Sequence, residues 1–236
     1  MLILPLRDRN PLKWIRFHYV NASTIGLCIG VFVWQSLLAE RELTETIISY
    51  ALVPAVFTGG ASLPAGLTSI PAELTLLSSA FLHGDWLHLG GNMLFLWVFG
   101  DNVEDCLGHR RYIAFYALCA IAAGLVHVAI DPSSLSPTIG ASGAVSGVLG
   151  GYFLLHPKAR VWALVVFPLP LPLPAILVLG AWFLMQLFGA TDPGAATDIA
   201  WWAHVGGFIA GAILVIPLRR KEVPLFDGML RQPRNR

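Results

Sequence analysis

Residues 199–218 read IAWWAHVGGFIAGAILVIPL, twenty consecutive positions without Asp, Glu, Lys or Arg. A helix needs about 20 predominantly apolar residues to cross a bilayer. The whole chain has the same character, since 56% of its 236 residues are hydrophobic, 12% are charged and the mean hydropathy is +0.69. Soluble domains carry roughly 25% charged residues. The composition therefore predicts a polytopic membrane protein.

Composition also excludes some classes of function. The net charge of +1 excludes a nucleic-acid-binding protein that relies on a large positive charge. The three cysteines, Cys28, Cys106 and Cys119, form no CxxC pair. This spacing excludes a disulfide scaffold and a cysteine zinc site. We therefore expect no nucleic-acid partner, no metal and no cofactor.

Charge-free segments predict six membrane-spanning helices. The stretches 17–39, 112–130 and 199–218 each have the length of one span. The stretch 86–100 is short, and we expect the apolar run Leu76–Leu82 or Val103 to extend it.

Prolines set the predicted start of the other two spans. The charge-free stretch 132–157 opens with two prolines and three serines, so its helix is predicted to begin near Gly140. In 161–191, a proline at every second position up to Pro174 removes amide donors that a regular helix requires. That helix is predicted to begin at about Pro174, which suits a first turn. The stretch before it is expected at the membrane interface.

Two further regions are predicted to lie outside the spans. The charge-free stretch 46–72 is broken by six prolines and glycines, and we interpret it as a long loop with an amphipathic piece. The charged cluster at 101–111 is expected to form a solvated turn.

The positive charges predict the orientation. In the six-span arrangement, fourteen of the fifteen Lys and Arg residues fall on one side, and Arg41 falls on the other. The positive-inside rule makes the first side cytoplasmic. We therefore expect a cytoplasmic N-terminal segment at 1–19, a six-span domain at 20–218 and a cytoplasmic tail at 219–236. The expected location is the plasma membrane.

Polar side chains within the predicted spans are the candidates for function, because the membrane makes each of them costly. Spans two, four and six all run inward, and at a rise of 1.5 Å per residue their early polar residues lie within about 10 Å of the outer ends. Three separate segments thus place polar groups at one depth. These groups are His83, His88 and Asn92 in or just before span two, Ser142 in span four and His204 in span six.

Stripes of small residues predict contact between spans four and six. Glycines at 143, 147 and 151 repeat every four residues, as do the small residues at 203, 207 and 211. Such stripes allow close approach of helix backbones in lipid. Each stripe lies one position from a polar group, Ser142 or His204, and a hydroxyl beside an imidazole is the minimum for an activated nucleophile.

A second set of groups is suited to stabilising an oxyanion. His88 and Asn92 are four residues apart and share a helix face. The backbone amide of Ser142 has no intrahelical partner if the helix begins near Gly140.

Four strings resemble the rhomboid family of intramembrane serine proteases. They are GASG at 140–143, HGDWLHLGGNM at 83–93, AHVGG at 203–207, and GDNVED at 100–105 continued by LGHRR at 107–111. The resemblance covers about residues 20–218, and each string falls on the expected span. It implies an all-α, six-helix membrane bundle that cleaves transmembrane protein substrates in or near their spans, within the lipid bilayer.

The resemblance also implies roles for individual residues. Ser142 would be the nucleophile and His204 its general base in a Ser–His dyad. His88, Asn92 and the Ser142 amide would stabilise the oxyanion, and His83 would support the site.

The sequence departs from the family pattern at two places. The Trp-Arg pair that many members carry in the first outer loop is absent. An aromatic residue that often packs against the base four positions after the nucleophile is replaced by Ser146. We expect Ser146 to pack near His204, and Asp85 is the acidic residue closest in depth to it.

Other classes of function were weighed against the protease. The sequence lacks the HExxH motif of a membrane metalloprotease. It also lacks a GxGD string with paired intramembrane aspartates, and no predicted span contains the lysine that a serine–lysine dyad would need. A transporter would favour internal repeats and broken helices at mid-membrane, and we find no convincing repeat. A catalytically inactive rhomboid-like protein that binds membrane helices is the alternative.

Overall fold

Helices dominate the protein. The computed structural model describes residues 4–63, 66–67, 70–164, 169–192, 194 and 199–228. The helices are α1 (Tyr19–Ser36), α2 (Glu40–Tyr50), α3 (Pro54–Phe57), α4 (Thr75–Ser78), α5 (Trp86–Phe95), α6 (Asp101–Leu107), α7 (His109–Ile130), α8 (Ser142–Leu155), α9 (Ala175–Thr191) and α10 (Trp201–Leu218). A π-helical segment, Leu96–Gly100, joins α5 to α6, and 3-10 turns lie at Ala72–Leu74, Ser79–Phe81 and Phe226–Gly228.

Each predicted span contains a helix: α1, α5 with α6, α7, α8, α9 and α10. The predicted starts near Gly140 and Pro174 are confirmed, since α8 begins at Ser142 and Pro174 caps α9. Among the described helices, α7 and α10 have the length and composition to cross a membrane unaided. The fourteen residues of α8 extend about 21 Å, less than the roughly 30 Å of a bilayer core. Six crossings therefore stay a prediction.

The predicted extension of span two by Leu76–Leu82 is wrong. That run forms the short α4 and a 3-10 turn, and the chain then turns before α5. The Asp85 carboxylate ends the turn because it accepts the backbone N–H groups of Leu87 and His88, both at 2.8 Å. An N-cap of this kind satisfies amides that have no partner in the helix, so it fixes where α5 begins.

The predicted loop at 46–72 is partly helical. The last turn of α2 lies within it, and α3 follows after a short extended link. Residues 64–65 and 68–69 of this loop lie outside the described residues. Leu52 pairs with Thr138 in an isolated antiparallel bridge, which joins the loop to the segment between α7 and α8.

A small antiparallel sheet departs from the all-α prediction. Its order is β1 (Leu4–Asp8), β2 (Arg160–Leu164) and β3 (Pro170–Pro174). Prolines alternate along β3, so the positions without an N–H share one side, and such a strand suits a sheet edge. The alternation that excludes a helix at this place thus permits a strand.

The predicted terminal segments are not free tails. The N-terminal segment enters the sheet through β1, and the Tyr152 hydroxyl donates to Asp8 at 2.6 Å. Burial raises the pKa of Asp8 to about 6. At the other end of the chain, the Arg220 N–H donates to the carbonyl of Cys106 at 2.9 Å, and the side chain of Val223 is buried.

The expected solvated turn at 101–111 is also wrong in its central part. Glu104 and Asp105 are 0% and 4% exposed. The Asp105 carboxylate accepts three backbone N–H groups from residues 13–15, and the Glu104 carboxylate accepts those of Val20 and Asn21. These acids are buried because each serves as an acceptor for amides at the start of the chain.

Glycines bring the backbones of α8 and α10 into contact, as the small-residue stripes predicted. A Cβ on Gly207 would collide with the carbonyl of Gly143, and a Cβ on Gly211 would collide with that of Gly147. The third glycine of the α8 stripe departs from this pattern, because Gly151 faces Phe115 of α7 as well as Val215 of α10. Only residues without a side chain allow this approach.

Replacing one of these glycines with alanine is expected to separate the helices. We predict that Gly211→Ala destabilises the protein by about 1–3 kcal/mol, the usual cost of overpacking a filled interior. Thermal unfolding in detergent measures the effect. Gly30→Ala in α1 is the matched control, because its Cβ would meet nothing within 4 Å and alanine favours a helix. Equal unfolding temperatures for the two variants would contradict the packing described here.

Candidate active site

Ser142 and His204 meet where α8 and α10 begin. Ser142 is the first residue of α8 and follows Gly140, whose φ of +118° turns the chain into the helix. His204 lies in the first turn of α10. The Ser142 Oγ and the His204 Nε2 are 2.8 Å apart, within hydrogen-bonding distance. The two residues predicted as nucleophile and base are thus brought together.

The other ring nitrogen of His204 is held by a residue that the sequence interpretation missed. The His204 Nδ1 lies 2.8 Å from the Oε1 of Gln186, and Gln186 is buried on α9. A signal was available, since Gln186 is the only amide-bearing or ionisable residue in the predicted helix from 174 to 191. An uncharged amide is not itself a proton acceptor or a nucleophile, so its residue type alone does not indicate a role in catalysis.

His88 and Asn92 lie beside Gly140. A Cβ built on Gly140 would be 2.5 Å from the His88 Nε2 and 3.8 Å from the Asn92 Nδ2. Gly140, two residues before Ser142, therefore leaves room for the imidazole. Among the described residues, the buried Asn92 Nδ2 has no hydrogen-bond partner. An unpaired buried donor is costly, so this amide is available to a ligand of the site.

The amide of Ser142 itself lies in the first turn of α8, where the helix supplies no carbonyl for it. It therefore points a backbone donor at the start of the helix, next to the serine hydroxyl. The positive end of the helix dipole reinforces this donor toward a negative charge.

His83 contacts His88 and Gln35. The backbone N–H of His83 donates to the Oε1 of Gln35 at 3.1 Å, and the side-chain amide of Gln35 donates to the backbone carbonyl of His83 at 3.3 Å. The ring of His83 packs against that of His88 with centroids 5.3 Å apart. Burial lowers the pKa of His83 to about 4, so this ring is neutral at physiological pH.

Ser146 and Asp85 have partners other than His204. The Ser146 hydroxyl donates to the carbonyl of Ser142 at 2.6 Å, the usual bond of a helical serine to the preceding turn. Asp85 caps α5 as described above. Within the ranges that the structure describes, no three His, Cys, Asp or Glu side chains are grouped to hold a metal ion.

The fold and the site together define a class: a predominantly helical protein with a serine–histidine pair at the meeting point of apolar helices. A family model described as Rhomboid domain matches residues 72–221, more than half of the chain. The chain belongs to the rhomboid family, whose members are embedded in membranes.

Three relatives illustrate the similarity. Rhomboid protein 1, mitochondrial, of Saccharomyces cerevisiae is 33% identical over 86% of this chain and 55% of its own length. RHOMBOID-like protein 12, mitochondrial, of Arabidopsis thaliana is 29% identical over 62% of this chain and 46% of its own. Rhomboid-like protease 3 of Toxoplasma gondii is 30% identical over 59% of this chain and 49% of its own. The chain thus spans about half the length of these relatives.

The unpaired amide of Asn92 generates a prediction. Asn92→Ala is expected to lower the rate of cleavage of a transmembrane model substrate by about 10²–10³, the usual loss for one oxyanion donor. The fold is expected to survive, because Asn92 Nδ2 makes no hydrogen bond within the described structure. Gly90→Ala is the control on the same helix, where a Cβ meets nothing within 4 Å. Parental cleavage by a folded Asn92→Ala protein would remove Asn92 from the site.

Proposed function

We propose that this protein is an intramembrane serine endopeptidase that hydrolyses peptide bonds in or near the transmembrane segments of membrane proteins. The observation that carries the proposal is the 2.8 Å contact between the Ser142 Oγ and the His204 Nε2. Membership of the rhomboid family, and the printed name of the Toxoplasma gondii relative as a protease, support the same activity.

The proposed first half-reaction forms an acyl-enzyme. His204 Nε2 accepts the proton of the Ser142 hydroxyl while the Oγ attacks the carbonyl carbon of the scissile bond. The tetrahedral oxyanion is stabilised by the Ser142 amide and by the side chains of Asn92 and His88. As the C–N bond breaks, His204 donates the proton to the leaving amine nitrogen.

The second half-reaction returns the serine. His204 removes a proton from a water molecule, whose oxygen attacks the ester carbonyl of the acyl-enzyme. Collapse of the second tetrahedral intermediate breaks the bond to the Ser142 Oγ, which regains a proton from His204. The products are a new carboxylate and a free Ser142.

The proposed topology has six spans with both termini on one side. Backbone contacts support this arrangement: β1 pairs with β2, which places the N-terminal segment beside the connection between α8 and α9. The backbone N–H of Arg220 donates to the carbonyl of Cys106, so the C-terminal segment lies beside the end of α6. The bridge between Leu52 and Thr138 joins two connections assigned to the opposite side.

The proposed topology indicates where the substrate is cleaved and what the substrate requires. The catalytic pair lies toward the side opposite the termini, where water needed for deacylation enters. A regular helix hides its carbonyls, so the substrate is expected to carry helix-breaking residues near that membrane boundary. The relatives with 33% and 29% identity are named as mitochondrial, so the comparisons lend no support to the expected plasma membrane.

Labelling with a fluorophosphonate separates the protease from an inactive helix-binding relative. We expect labelling and cleavage of a transmembrane substrate in the parent, and loss of both in Ser142→Ala. Ser146→Ala is the matched control, because its hydroxyl is bonded to the Ser142 carbonyl and its amide is deeper in the helix. Labelling that survives Ser142→Ala, or a parent that neither labels nor cleaves, would reject the proposal.

Reporter fusions test the topology. Fusions after Arg111 and after Lys158 are expected on the side of the termini, and fusions at Ser134 and Thr191 on the opposite side. The physical reason is the asymmetric distribution of positive charge about the six segments. An opposite-side signal after Lys158 would reject the six-span arrangement.

A further inference from the structure

His204 makes a hydrogen bond on each side of its ring. Its Nε2 faces Ser142 and its Nδ1 faces Gln186, both at 2.8 Å. The first contact belongs to the proposed dyad. The second comes from a different helix, α9, and from a side chain that is 6% exposed. A glutamine buried in an apolar helix is costly unless its amide is used, so this contact requires an explanation.

The orientation of the Gln186 amide determines the tautomer of His204. The Gln186 Nε2 faces the carbonyl of Trp182 at 3.5 Å, and a carbonyl accepts only from the NH2 end of the amide. The Oε1 end is then directed at His204, where it accepts from an N–H at Nδ1. A neutral imidazole with its proton on Nδ1 has a free lone pair on Nε2, which is the form that accepts the serine proton.

The position of Gln186 on α9 makes this contact part of the packing between α9 and α10. Trp182 and Phe183 pack on Phe208, with ring centroids 6.2 and 4.6 Å apart. One turn beyond Gln186, Gly189 leaves room for the ring of Trp201. Gln186 therefore lies in the middle of the contact face, and its amide reaches His204 only while α9 is seated on α10.

We propose that Gln186 is the positioning residue of the catalytic pair: it holds His204 in the Nδ1–H form and makes the activity depend on the seating of α9 against α10. This proposal rests on the proposed function. It accounts for the serine at 146, where an aromatic residue is absent and the hydroxyl bonds its own helix. It is consistent with the position of Asp85, whose carboxylate caps α5.

Other ionisable groups near His204 set the background for a pH measurement. The groups whose charge reaches it are His88 on α5 and His127 on α7. The ring of His88 meets that of His83 edge to face, and the His127 Nε2 lies 2.9 Å from the Thr138 hydroxyl. Among the described residues, neither hydrogen-bond partner of His204 is a carboxylate, so a carboxylate introduced at 186 adds a negative charge beside the ring.

Two substitutions of Gln186 test the proposal with a purified, reconstituted protein and a transmembrane model substrate. Gln186→Met keeps the length of the side chain and removes the acceptor. We expect kcat to fall about 10²-fold, the usual cost of a misplaced catalytic group, with little change in KM. Gln186→Glu keeps an acceptor. We expect it to retain activity, with the acidic limb of the kcat–pH profile moved to higher pH, because a carboxylate stabilises the imidazolium.

The controls separate this proposal from the proposed function. Thr191→Val, on the same helix, removes a hydroxyl that bonds only carbonyls of its own helix and is expected to keep parental kcat. Parental kcat in Gln186→Met, with Ser142→Ala inactive, would overturn the positioning role and leave the protease intact. So would equal losses in Gln186→Met and Gln186→Glu with an unmoved acidic limb, which indicate packing alone. An inactive parent would reject the protease instead.

Discussion

The backbone contact between α8 and α10 is the constraint on which the site depends. Ser142 and His204 come from segments 62 residues apart, and their side chains are short. They can touch only if the two helices approach more closely than ordinary side chains permit, which glycines at 143, 147, 207 and 211 allow. Packing of this kind fixes the relative depth of both residues, and with it the hydrogen bond.

A separate group of polar interactions surrounds α6, away from the serine, and has a different task. Glu104 and Asp105 are buried acids, yet their oxygens accept amides from the first residues of the chain. Buried carboxylates are tolerated when they are satisfied in this way. His156 extends the arrangement, because its Nε2 lies 3.3 Å from Cys106 and its Nδ1 lies 3.1 Å from Asp227 in the C-terminal segment. These contacts tie the N-terminal segment, α6, the end of α8 and the C-terminal segment together.

The sequence predicted the helical segments and the serine–histidine pair for physical reasons that are local. Absence of charge marks a span, and a glycine stripe marks a helix face, so these patterns alone are enough to pair Ser142 with His204. The errors arose where long-range partners decide the structure. A run of alternating prolines excludes a helix, but only the presence of β1 and β2 makes it a strand. The acids at 104 and 105 resemble a solvated turn until the N-terminal amides that they accept are known.

Gln186 shows most clearly what the sequence alone does not predict, because its role depends on a partner, His204, on another helix. An uncharged amide in an apolar helix has several ordinary fates, including a bond to its own backbone, and the Trp182 carbonyl supplies that bond here. What makes the residue distinctive is that the other end of the same amide meets His204. The Gln186 amide is therefore held by a carbonyl of its own helix, and it fixes which ring nitrogen of His204, on α10, carries the proton. The ring contacts of Trp182 and Phe183 with Phe208 are non-directional. The amide supplies the direction, and the seating of α9 becomes a condition for a correctly protonated base.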